Sequence, residues 1–244
     1  MYTYLTEQLN TLFEPVTVLR DDPSEGKSLT RIRHKTTHRD FVLRQFRGDA
    51  QCYQKLLSVK SPYLPEVFEA AADGDRVMVL EEYIEGDLVS DMLKDTLFSE
   101  KETVSIVLDI CQALQILHQR DIIHRDVKPE NIILRGSKAV LIDLDAARIH
   151  RSETDTDEPM PDFGDTRILG TTGFASPEQY GLFQTDGRSD IFSLGVTMNY
   201  LLTGKHPSQE TYKGRLGRII GRATNLQPAK RFQTVQELME VITL

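Results

Sequence analysis

His124-Arg125-Asp126-Val127-Lys128-Pro129-Glu130-Asn131 is the stretch on which the reading of this chain turns. It ends a polar tract, 118–131, that separates a long apolar periodic segment from two short apolar runs. Upstream, Val104 to Leu117 repeats apolar residues at helical spacing, and Ser99 followed by Glu102 has the spacing of a capping box. Downstream, Ile132 to Leu134 and Ala139 to Ile142 have the length of strands, and Asp143 follows the second. Residues 151–166 are polar and acidic with two prolines and read as a mobile surface loop. Asp190 to Leu202, closed by Gly204, reads as a deeply buried helix. Thr234 with Glu237 repeats the capping-box spacing at the start of a terminal helix.

The first third has a different texture. Residues 1–13 read as a short helix, and strand-like runs follow at Val16 to Leu19, Leu29 to Arg33, Phe41 to Phe46 and Arg76 to Tyr83. His34 to Asp40 reads as a hairpin turn, and one helix is expected near Asp49 to Val59. The expectation is an α+β chain of two lobes: sheet plus one helix over 1–84, and a mainly helical lobe over 85–244. With 244 residues and 39% hydrophobic composition the chain can bury a sizeable core. A net charge of -8 argues against nucleic acid or an anionic membrane as partner. Two distant cysteines, Cys52 and Cys111, make no disulfide framework and point to a reducing, cytoplasmic setting. Met1 to Asn10 lacks the pattern of a signal peptide, and no apolar run approaches the roughly 18 residues that a membrane span needs.

The 124–131 stretch resembles the catalytic loop of protein kinases. Six positions of that pattern are matched, which chance would produce on the order of once in 10⁸ positions at about 5% usage per residue. The resemblance extends to the eukaryotic-like (Hanks-type) serine/threonine kinase superfamily, because further matches follow in order. Gly170-Thr171-Thr172-Gly173-Phe174-Ala175-Ser176-Pro177-Glu178 resembles the end of an activation segment, and Asp190-Ile191-Phe192-Ser193-Leu194-Gly195 the start of the buried central helix. Arg231 falls where the family pairs an arginine with the segment's glutamate, here Glu178. The resemblance implies a bilobal protein-kinase-like fold and transfer of the γ-phosphoryl group of ATP, with Mg²⁺, to serine or threonine hydroxyls of a protein substrate. It assigns Asp126 to the attacking hydroxyl, Lys128 to the phosphoryl charge, and Asn131 and Asp143 to the metal, with Thr171 in the activation segment. Backbone groups of Glu82 and Ile84 would meet the adenine edge, and Ile133 would pack beneath the ring. Asp162-Phe163-Gly164 spells the family's metal triplet outright but has no strand before it, so Asp143-Leu144-Asp145 is taken as its counterpart.

The first lobe departs from the pattern. Asp22, Ser24 and Lys27 stand at the three glycine positions of the phosphate loop, where side chains restrict close backbone approach. The third strand ends Phe41-Val42-Leu43-Arg44, with Arg44 in the place of the family's lysine. Cys52 falls where the next helix carries its partner glutamate. Either Arg44 or a relocated Lys27, similar in place to the lysine of the with-no-lysine kinases, then contacts the phosphates, or neither does. Glu81 aligns with the back of the adenine pocket, where it could face Arg44 in place of the missing helix glutamate; a one-residue slip would put Leu80 there instead. Asp145 replaces the glycine of the metal triplet, either as an added carboxylate or as an exposed turn residue. A phosphate on Ser152, Thr154, Thr156 or Thr166 of the acidic loop could pair with Arg125 and order the segment; Glu153, Asp155, Asp157 or Glu158 could do so without modification, or the loop is plainly disordered. An active kinase is the first reading, a pseudokinase serving as scaffold the second, and a small-molecule phosphotransferase the third.

Overall fold

The computed structural model describes residues 2–150, 173–180 and 185–244. The acidic loop, the triplet at 162–164 and Thr171 lie outside the described residues. The chain divides into two compact units, Met1–Glu85 and Gly86–Leu244.

In the first unit, α1 (Tyr2–Leu12) leads into β1 (Phe13–Asp22), β2 (Lys27–His34) and β3 (Asp40–Arg47). A short α2 (Gln51–Gln54), β4 (Val67–Asp73) and β5 (Arg76–Glu82) complete it. The strands form an antiparallel sheet in the order β1-β2-β3-β5-β4. The register of β3 on β5 is unbroken from Phe41 opposite Glu82 to Arg47 opposite Arg76. Because side chains alternate across a strand, that register sorts the residues onto two faces. Ile32, Phe41, Met78 and Leu80 go to one face and pack with Leu9 of α1. Leu29, Arg31, Val42, Arg44, Val79 and Glu81 go to the other.

Each strand read from the first third is present; β1, β2 and β3 run past the bounds read, and β5 ends one residue short of Tyr83, at Glu82. β4 went unread because Val67-Phe68-Glu69-Ala70-Ala71-Ala72-Asp73 has little intrinsic strand preference; pairing to β5 imposes the conformation. The helix expected over Asp49 to Val59 is corrected to Gln51–Gln54. The chain turns after it, Ser58 takes φ 67°, and Leu57 bridges to Val67. Burial of Tyr53 and Leu56 together with that bridge outweighs the helical preference of the segment.

The second unit contains β6 (Asp87–Leu88), α3 (Val89–Met92), α4 (Glu100–His118), β7 (Ile122–Ile123), β8 (Ile132–Arg135), β9 (Lys138–Leu141), β10 (Arg148–Ile149), α5 (Gly187–Thr203), α6 (Gly214–Ala223) and α7 (Val235–Thr243). The capping box of α4 is complete. Glu102 N donates to Ser99 Oγ at 3.3 Å, and Ser99 N donates to Glu102 Oε2 at 2.9 Å. Helix α5 begins three residues before Asp190, because Asp186 accepts from Arg188 N at 2.8 Å; it ends at Gly204, whose φ of 69° glycine adopts without strain. Almost every residue of α5 is buried. Thr234 caps α7, but Glu237 reaches Gln233 N at 2.8 Å, so only half of a capping box forms. Helix α6 went unread although Leu216, Ile219, Ile220 and Ala223 share one face, since three glycines and three arginines mask the period.

Candidate active site

The 124–131 stretch runs as a loop from β7 into β8, and two features of the second unit give it one shape. The first is Asp190, fully buried near the start of α5. Its Oδ2 accepts from His124 N at 3.0 Å and lies 2.8 Å from His118 Nε2, and its Oδ1 accepts from Arg125 N at 2.7 Å. Burial pushes the Asp190 carboxyl up, but His118, His124 and the backbone bond outweigh it and hold it below the usual range. The second is Gln179, whose Nε2 donates to Arg125 O at 2.8 Å. Arg125, with φ 68° and a fully buried side chain, is thus gripped at both its N–H and its C=O. A non-glycine residue stays in the left-handed region only where its surroundings over-determine it.

Beyond Arg125 the loop is extended and its side chains alternate. Val127 is fully buried, and its carbonyl accepts from Thr197 Oγ1 of α5 at 3.0 Å. Asp126 and Lys128 project the other way, their side chains each 15% exposed, and Lys128 Nζ lies 2.7 Å from Asp126 Oδ2. The short turn Pro129–Asn131 brings Asn131 back so that its Nδ2 donates to Asp126 O at 2.8 Å and to Asp126 Oδ2 at 2.9 Å. With the amide nitrogen committed to Asp126, the amide oxygen is turned the opposite way.

Asp143 is placed by the β8–β9 hairpin. Ile132 pairs with Leu141, and the ladder continues one step past the strands, with Ile142 N donating to Asn131 O at 2.9 Å. Asp143 is therefore the residue next to Asn131's partner. It has φ 68°, and its Oδ1 accepts from Asp145 N at 3.1 Å. His124 joins the two segments: Asp126 N donates to its Nδ1 at 3.3 Å, so Nε2 carries the proton and donates to Ile142 O at 3.3 Å. Asp126, Lys128 and Asn131 are brought into direct contact, and Asp143 is tied to them through two backbone bonds.

Two oxygen donors, the Asn131 amide oxygen and the Asp143 carboxylate, suit Mg²⁺, which takes few ligands from a protein. Ile133 is half-buried on β8, opposite Val140 and Leu88. The Ser176-Pro177-Glu178 segment is anchored as the sequence suggested. Arg231 Nη1 lies 2.5 Å from Glu178 Oε1 and Nη2 donates to Oε2 at 2.9 Å, with both residues 1% exposed.

The remaining sequence candidates belong to the first unit. Arg44 is 6% exposed and Glu81 7%. Arg44 Nε and Nη2 donate to Glu81 Oε1 at 3.3 and 3.2 Å, so Glu81, not Leu80, shares the Arg44 face. Lys27 opens β2 on that same face, at the hairpin end, where its Nζ pairs with Glu25 Oε2 at 2.8 Å in a solvent-exposed contact. Glu82 N donates to Glu66 O at 2.9 Å, and Ile84 is buried. Arg31 stacks over the Tyr83 ring at 4.2 Å, which steadies the segment between them. Sequence reasoning missed the roles of Asp190 and Gln179. The signal for the first was there, an acid in the first turn of an otherwise apolar helix; Gln179 carried none.

The protein kinase domain family matches residues 31–240. The chain belongs to that family. The match begins within β2, after the β1–β2 turn. The chain is similar to serine/threonine-protein kinase PknA of Nostoc sp., 31% identical over 241 residues, covering 89% of this chain and 41% of that protein. It is 32% identical over 226 residues to serine/threonine-protein kinase PknB of Mycobacterium tuberculosis, covering 81% of this chain and 35% of that one. It is 33% identical over 173 residues to PknB of Mycobacterium leprae, covering 68% and 26%. The chain thus spans less than half the length of the curated relatives it matches. Protein kinases as a family use ATP and Mg²⁺. Among the described residues no helix is long and apolar enough to cross a membrane.

Proposed function

We propose that this chain transfers the γ-phosphoryl group of Mg-ATP to serine or threonine hydroxyls of a protein substrate. The observation that carries the reading is the contact of Asp126 with both Lys128, at 2.7 Å, and Asn131, at 2.9 Å, on a loop pinned by Asp190. Phosphoryl transfer asks little covalent chemistry of the protein; it asks for positioning and for charge. Asp126 orients the substrate hydroxyl and accepts its proton as the oxygen attacks the γ-phosphorus and the bond to the β-phosphate oxygen breaks. Lys128 sits beside that carboxylate and offsets negative charge on the group in transit. Asn131 and Asp143 would hold Mg²⁺, which when bound would neutralise charge on the phosphates. Arg44, buried and paired with Glu81, is the phosphate-side cation of the first unit in this reading; Lys27, engaged with Glu25 at the hairpin end, is not. Glu82 and Ile84 are the adenine-contacting residues of the first unit in this reading, and Ile133 that of the second. A cytoplasmic location belongs to the same proposal and rests on the cysteine-poor sequence.

The test is transfer of labelled phosphate from ATP to the chain itself or to a generic protein substrate, with Mg-ATP affinity measured in parallel. Wild type is expected to bind and transfer. Asp126→Asn is expected to bind Mg-ATP within about threefold of wild type and to lose transfer by about 10³-fold or more, as removal of a well-placed proton acceptor does. Binding without transfer by wild type would make the chain a nucleotide-binding module; transfer that survives Asp126→Asn would overturn the assignment of the base.

A further inference from the structure

The Arg44–Glu81 pair differs in kind from the one it replaces. In protein kinases the phosphate-contacting lysine of the third strand pairs with a glutamate on the neighbouring helix, and activation acts by moving that helix. Here both charges stand on strands that are hydrogen-bonded to each other. Val42 is opposite Glu81 and Arg44 opposite Val79, so Arg44 and Glu81 are diagonal neighbours on one face of the sheet. Their separation is set by the β3–β5 register, which cannot slip by one residue without sending every side chain of the strand to the other face. Helix α2 is only four residues long and carries Cys52 and Tyr53 inward, with Gln51 and Gln54 outward and no acid.

We propose that Glu81 is the positioning residue for Arg44, and that sheet register, not a movable helix, sets this chain's phosphate cation. Glu81 holds the guanidinium through two N–H bonds to one oxygen, at 3.2 and 3.3 Å, and the ring of Tyr53 lies 5.9 Å from the guanidinium carbon. The planar fork of a guanidinium is suited to phosphate oxygens. The ion pair therefore needs no acid from α2, which adds only the Tyr53 ring beside the guanidinium, and displacement of that helix would leave Arg44 paired with Glu81.

This inference rests on the proposed nucleotide site, and the experiment separates the two. Mg-ATP dissociation constants and melting temperatures are measured for wild type and three variants. Glu81→Gln keeps the shape and one acceptor but removes the charge; its Kd is expected to rise about tenfold, in line with the loss of a charge-assisted contact. The swap Arg44→Glu/Glu81→Arg is expected to melt above either single swap, because the pair is re-formed, yet to keep a raised Kd, because the cation now projects from β5. Gln51→Gly/Gln54→Gly weakens α2 from its exposed side and is expected to leave the Kd within about twofold. An unchanged Kd in Glu81→Gln, a wild-type Kd in the swap, or a rise in the α2 variant equal to that of Glu81→Gln would each overturn the inference while leaving the kinase reading intact. Failure of wild type to bind Mg-ATP at all would overturn both.

Discussion

Replacing Arg231 with methionine tests the energetics that hold the second unit together. Arg231 and Glu178 are each 1% exposed, and neither can turn to water when its partner is removed. In Arg231→Met the Glu178 carboxylate keeps, among the described residues, only Ser189 Oγ, at 2.9 Å, as a side-chain donor, while Asn225 O and Arg188 O lose donors at 2.7 and 3.0 Å. Removing one member of a buried pair costs about 3–5 kcal/mol, and at this chain length each kcal/mol is worth about 2–4 °C, so the melting temperature should fall by about 6–20 °C. Glu178→Gln should cost less, because Arg231 still donates to Asn225 O, Arg188 O and one glutamine oxygen. The acid dependence is the sharper part. Burial raises the Glu178 carboxyl, but Arg231, the backbone and Ser189 more than offset it and hold it below its ordinary value. In wild type that pair therefore stabilises the fold above the unfolded value near 4.5 and fades as pH falls below it. In Arg231→Met the burial effect is opposed by Ser189 and the backbone bond but no longer by the guanidinium, the carboxyl moves upward, and protonation relieves the penalty. The gap between variant and wild type, read from urea midpoints between pH 8 and pH 5, should narrow as pH falls. A gap that widens toward acid, or a variant within about 1 kcal/mol of wild type at pH 8, would refute the reasoning.

Two further outcomes are expected. Asp190→Asn keeps one acceptor oxygen but turns an NH₂ group toward the N–H groups of the 124–125 backbone, leaving at least one buried donor unpaired; a loss of about 2–3 kcal/mol in the urea midpoint is expected, together with lower transfer at saturating Mg-ATP. Asp40 lies between Arg33 and Arg31, whose bonds outweigh burial and bring its carboxyl from 3.8 down to about 2. Because that value is depressed in the folded state, its contribution is present above 3.8 and lost as pH falls toward 2, so Asp40→Asn should flatten the stability loss across that window; an unchanged slope would argue against the triad.

The legible parts of this chain were those whose physics is local. The capping box at Ser99 and Glu102, the stop at Gly204 and the apolar runs of β8 and β9 need only near neighbours to form, and each formed where the sequence placed it. The loop from His124 to Asn131 is legible for a similar reason: Asp126, Lys128 and Asn131 lie within six residues, so one extended turn brings them together. The role of Asp190 was not legible, since its partners at 118, 124 and 125 are about seventy residues away and only the packing of α5 brings them within reach. The short α2 was misread because burial of Tyr53 and Leu56 and the bridge from Leu57 to Val67 act through space against a local helical preference.

The sequence by itself determined the family and the short loop on which Asp126, Lys128 and Asn131 meet, because these rest on short spacings and on side-chain chemistry that no packing can change. Whether Lys27 or Arg44 was the buried cation, and which acid it meets, only the tertiary structure decided. Glu81 lies 37 residues from Arg44, and it is the β3–β5 register, a sum of many backbone hydrogen bonds, that puts the two on one face.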